Sequence, residues 1–87
     1  MKGIITVLGI DHVGIIAKVC TYLSDNGINI LDISQTIVKG YFTMLMIVDM
    51  GGSSFEDISK GLDALGRSID VYIKLQHEDI FNSMHRV

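Results

Sequence analysis

Apolar positions recur along this chain in two rhythms, one of strands and one of helices. Lys2 to Ile10 carries Ile4, Ile5, Val7, Leu8 and Ile10 with little polar alternation, which predicts a mostly buried strand. From Val13 the period lengthens: Val13, Ile16, Ala17, Cys20 and Leu23 mark one face of a helix that Asn26-Gly27 ends. Ile28 to Val38 is β-rich, and its apolar phase slips between Ile28/Ile30 and Leu31/Ile33, which predicts a bulge or bend. Lys39-Gly40 reads as a hairpin turn into a third strand, Tyr41 to Met50, and Gly51 to Ser54 as a loop. Ser53 with Glu56 fits a capping box for a second helix striped by Phe55, Ile58, Leu62 and Leu65 and closed by Gly66. Ile69, Val71, Ile73 and Leu75 alternate with polar neighbours as a fourth strand. Ile80, Phe81 and Met84 are spaced for a short C-terminal helix within Glu78 to Met84.

The predicted order is β-α-β-β-α-β. Two interleaved β-α-β crossovers give an α+β, ferredoxin-like sandwich: a four-stranded antiparallel sheet with both helices on one face. Residues 1–87 are expected to form one domain. The third strand, like the first, is apolar at both parities, yet two helices cover only one face. The other face then needs a cover of its own. Burying ~400 Å² there at ~25 cal/mol/Å² is worth on the order of 10 kcal/mol before association costs. A homodimer, by sheet-face packing, edge-strand pairing or both, is the expectation.

Composition sharpens this picture. The chain has 87 residues, 48% of them hydrophobic, and a mean hydropathy of +0.42. That is rich for a domain that buries only roughly 60% of its unfolded surface, and a second chain would cover the excess. A net charge of −3 speaks against a polyanionic partner. The single cysteine, Cys20, excludes an internal disulfide and a multi-cysteine metal site. With no apolar run near the ~20 residues of a membrane span and no basic leader, the expected setting is the cytoplasm, without membrane contact.

The candidate chemistry gathers at Gly9-Ile10-Asp11-His12-Val13-Gly14-Ile15, between the first strand and the first helix. Glycines on either side of Asp11 let the backbone turn tightly, and the opening amides of a helix attract an anion such as a carboxylate. Asp11 is read two ways: as an N-cap accepting from Val13 or Gly14, and as a ligand contact. Asn29 either satisfies backbone groups at the bulge or holds a ligand; Asp32 reads as a solvated carboxylate. His12 reads as an exposed loop residue, with a ligand contact as the alternative. Cys20 and the methionines Met44, Met46 and Met50 read as packing residues. His77 and His85 are too isolated for zinc, so no metal or cofactor is expected.

No activated nucleophile or paired acid and base stands out, so the chain is not expected to be an enzyme. An acylphosphatase-like site wants an Arg in the first loop, and a heavy-metal carrier wants a Cys pair there; neither is present. RNA recognition would need aromatics on both central strands and a basic surround, so no nucleic-acid partner is expected.

Asp11-His12-Val13-Gly14-Ile15, followed by Asn26-Gly27-Ile28-Asn29-Ile30, resembles the ACT domain. Ile33-Ser34-Gln35-Thr36, Tyr41-Phe42-Thr43-Met44 and Ile80-Phe81 are similar to an uncharacterised bacterial family of stand-alone ACT proteins. The resemblance spans nearly the whole chain and implies a regulatory module that binds a small molecule, typically an amino acid, at a subunit interface. It implies that the loop polar residue and the Asn opening the second strand hold the effector, here Asp11 and Asn29. The candidate ligand-binding set is therefore Asp11, His12, Val13, Gly14 and Ile15 with Asn29 and Ile30. Some ACT domains carry a His two residues before the loop polar group; Gly9 stands there, which puts serine-like specificity in question. The alternative function is a ligand-free adaptor that docks another protein through the same surfaces.

Overall fold

The computed structural model describes residues 1–10 and 12–79. Strands β1 (Lys2–Ile10), β2 (Asn29–Val38), β3 (Tyr41–Asp49) and β4 (Val71–His77) and helices α1 (Ile15–Asp25) and α2 (Phe55–Ser68) follow the expected order. The sheet runs β2-β3-β1-β4, with every neighbouring pair antiparallel. This is the ferredoxin-like arrangement. The expected C-terminal helix lies almost wholly outside the described residues.

Alternation along the central strands decides what is buried. Ile5 and Val7 of β1 pair with Met46 and Met44 of β3 and with Leu75 and Ile73 of β4. All six are buried, under Ile15, Val19 and Leu23 of α1 and Ile58 and Leu62 of α2. The three interior methionines are therefore core residues: Met44, Met46 and Met50 have no exposed surface. The buried stripe of α1 is Ile15, Val19 and Leu23, one position away from the predicted one; Ile16 and Cys20 lie at its flank and Ala17 is exposed. Two apolar stripes lie side by side on this helix, and contact with the sheet selects between them.

The local signals are physical ones. α1 ends in a Schellman motif: Gly27 takes φ 70, Ile28 N–H donates to the Leu23 carbonyl at 2.9 Å and Gly27 N–H to that of Ser24 at 3.1 Å. The phase slip in β2 is a bulge: Ile30 faces Val48 and Asp32 faces Ile47, leaving Leu31 as the extra residue. Lys39 (φ 51) and Gly40 (φ 82) form the two-residue turn between Val38 and Tyr41.

Several predicted boundaries are corrected. The cap of α2 is Ser54, whose hydroxyl accepts from Asp57 N–H at 3.3 Å, whereas the Ser53 hydroxyl donates to the Asn26 carbonyl at 3.1 Å. Met50 lies just past the end of β3. Gly66 does not close α2: the helix runs on to Ser68, Ile69 caps it, and Asp70 turns at φ 59 before β4 starts at Val71. Gly66 serves instead as a contact point, since a Cβ there would lie 2.6 Å from the Val71 carbonyl oxygen.

The helices leave much apolar surface uncovered. Leu8, Ile10, Val38, Tyr41 and Tyr72 share the opposite face by register and are all exposed, Ile10 to 68%. At the other end of that face Ile4 is buried, apart from the main core. Neither helix reaches far across β2, so Ile33 and Ile37 stay exposed on the helix side as well.

The close approach at Gly66 gives a direct test. Gly66→Ala would raise helix propensity by about 1 kcal/mol in an open helix, but here it pushes a methyl into β4 backbone. The expected net effect is a loss of about 1–3 kcal/mol in urea unfolding.

Candidate functional site

The loop after β1 places the opening of α1 in solvent. Val13 belongs to the turn, its side chain 99% exposed, and the helix begins at Ile15 rather than Val13. Gly14 is the N-cap at φ 93; the expected cap at Asp11 lies outside the described residues. A left-handed cap suits glycine because a Cβ would crowd the backbone. The first helical bond runs from Lys18 N–H to the Gly14 carbonyl at 3.0 Å. No acidic residue occupies the first turn, and a Cβ built at Gly14 meets nothing within 4 Å. The dipole of the amides that open α1 is thus answered by no carboxylate from that turn.

His12 is more than a surface residue, although its side chain is exposed. Its Nε2 lies 2.8 Å from the Ile69 carbonyl oxygen and its Nδ1 3.3 Å from that of Val13. The loop is thereby tied to the junction of α2 and β4. Gly9, where some ACT domains carry His, also has a local reason. A Cβ there would lie 2.8 Å from the Val71 side chain, so β4 occupies the space.

Asn29 opens β2, is exposed, and pairs with Asp49; the bulge falls two residues later, at Leu31. Ile30 is half-buried against the core, and Asp32 is exposed. Asn29 and Ile30 border an open groove of about 420 Å³ shared with Cys20, Ser24, Gly27 and Ile28. Cys20 and Ser24, one turn apart on α1, escaped sequence reasoning as site residues. Their only signal was their i, i+4 spacing beside the Asn26-Gly27 turn. Burial pushes the Cys20 thiol pKa above its ordinary range. His77 stacks on Phe55, ring centroids 4.0 Å apart.

The two halves of the predicted site do not meet within one protomer. β1 and β2 both run antiparallel to β3, so they are parallel to each other. The Gly9–Ile15 loop follows the end of β1, where Ile10 faces Tyr41; Asn29 begins β2 at the far end, beside Asp49 and Lys2. At about 3.3 Å per residue, roughly 26 Å of strand lies between them. Among the described residues, no group of three His, Cys, Asp or Glu side chains could hold a metal ion.

Residues 3–76 match the family model of the ACT domain. The chain belongs to the ACT domain family. A UPF0237 protein of Bifidobacterium longum is 54% identical over 88 residues, covering 99% of this chain and 98% of that protein. The solved ACT domain protein from Streptococcus pneumoniae is 40% identical with a TM-score of 0.84, over 93% of each chain. The regulatory subunit of aspartate kinase from Thermus thermophilus shares the fold, at 24% identity and a TM-score of 0.70, over 88% of this chain and 51% of that one. ACT domains are regulatory ligand-binding modules. No described helix is long and apolar enough to cross a membrane.

The raised thiol pKa predicts slow chemistry at Cys20. In the folded protein Ellman's reagent should react more slowly than with free cysteine at pH 8. The gap should narrow as rising pH forms thiolate, and disappear on unfolding.

Proposed function

We propose that this ACT domain works as a regulatory homodimer that takes a small amino acid, or a similar amphoteric metabolite, between its two copies. The observation that carries this reading is the separation of the loop from Asn29 by the length of the sheet. A site using both needs the loop of one copy beside the β2 start of the other. β2 suits such pairing: it is a ten-residue edge strand, exposed over most of both faces, with Leu31, Ile33, Ile37 and Val38 open to solvent. Antiparallel pairing of two β2 strands about a twofold axis sets the start of each against the end of its mate.

In this arrangement the α1 amides around Gly14 and Ile15 receive the ligand carboxylate, and Asp11 attracts its ammonium. Asn29 and Ile30 close the crevice, while His12 and Val13 shape its rim. The module acts without catalysis, in the cytoplasm, by favouring one quaternary arrangement over another, which requires different affinity for the two. The whole of residues 1–87 serves as one such unit.

Calorimetric titration with the twenty amino acids, on protein whose dimeric mass is established by light scattering, tests the reading. At least one should bind at millimolar concentration or below. Asp11→Ala and Asn29→Ala should each weaken it by about tenfold, the effect of losing roughly 1.4 kcal/mol of polar contact. A folded dimer that binds none of them, or a stable monomer, overturns the proposal.

The exposed cluster of Leu8, Ile10, Val38, Tyr41 and Tyr72 favours a second reading, a ligand-free adaptor that docks another protein on the open sheet face. Capture of a partner that ignores both Asp11→Ala and added amino acids would support it.

A further inference from the structure

We propose that His12 is a positioning residue that couples the loop before α1 to the corner between α2 and β4. The two segments are far apart in sequence, and the imidazole bridges them directly. Nε2 lies 2.8 Å from the Ile69 carbonyl oxygen, a bond between residues 57 positions apart. A carbonyl only accepts, so in this bond the ring N–H of His12 is the donor. On the loop side Nδ1 lies 3.3 Å from the Val13 carbonyl oxygen, next to the left-handed cap at Gly14.

The receiving end is a constrained piece of backbone. Ile69 N–H donates to the Leu65 carbonyl at 3.1 Å as the cap of α2, and its own carbonyl is the one His12 holds. Asp70 then takes φ 59, a conformation that L side chains adopt at a cost, before Val71 pairs with Gly9. The corner borders a groove of about 400 Å³ lined by residues that include Gly66, Arg67 and Asp70, with Leu8 and Tyr72 of the open sheet face. A shift of the loop therefore reaches, through one side chain, the edge of the exposed apolar cluster.

The coupling exists in the ligand-free protein, so its test needs no ligand; only its use in signalling rests on the loop being the binding site. Two protected amides report on the two ends: Lys18 N–H, bonded to Gly14, and Ile69 N–H, bonded to Leu65. Hydrogen exchange of both should be measured in the wild-type chain, His12→Ala, His12→Gln, Asp70→Ala and the double variant His12→Ala/Asp70→Ala. His12→Ala should speed exchange at both amides by about five- to tenfold, the loss of one hydrogen bond. His12→Gln, whose amide can reach the Ile69 carbonyl, should restore most of the protection. Asp70→Ala, which perturbs the corner, should speed exchange at Lys18 when His12 is present and not when it is replaced, a non-additive cycle. Acceleration confined to the loop in His12→Ala, failure of Gln to rescue, or additive effects at positions 12 and 70 would each overturn the coupling.

Discussion

One-sided burial of the sheet governs this protein. The inward rows of β1, β3 and β4 are closed by α1 and α2, and the core they make excludes solvent almost completely from Ile5, Val7, Met44 and Met46. The same two helices cannot cover the opposite face, nor do they reach far across β2. Stability and exposed apolar surface thus come from one architectural fact. Among the described residues there is no third layer to cover what remains of that face.

Chain direction then shapes the candidate site. Because β1 and β2 are parallel partners of a shared neighbour, the turn leaving β1 and the residue entering β2 stand at opposite ends of the sheet. In the proposed site a protomer would contribute two parts: the loop at Gly14 that opens α1, and the groove beside Asn29. The long, two-sided exposure of β2 supplies the edge along which the parts from two copies would be brought together.

Much of the fold was legible because its signals are local and periodic. The switch of period after Ile10 marked the first crossover. The phase slip in β2 betrayed the bulge at Leu31, and Lys39-Gly40 announced the hairpin. Signals shared by adjacent residues were ambiguous. Ser53 and Ser54 are chemically alike, and only the path of the chain decided which capped α2 and which bonded Asn26. Gly66 looked like a helix terminator because glycine serves two ends, left-handed geometry and close approach; the nearness of β4 selected the second. In the candidate site, the loop and Asn29 were visible as residue types, but the tie from His12 to Ile69 was not. A backbone carbonyl leaves no mark in the sequence.

The sequence by itself determined the order of elements, the identity of the core strands and the surplus of apolar surface, since each follows from the spacing of side chains along the chain. Only the tertiary structure decided which stripe of α1 faces inward, which glycine is a contact point, and how far apart the end of β1 and Asn29 stand. Those depend on distances between segments remote in sequence. Such distances are set by packing one element against another, a property that no local window of residues contains.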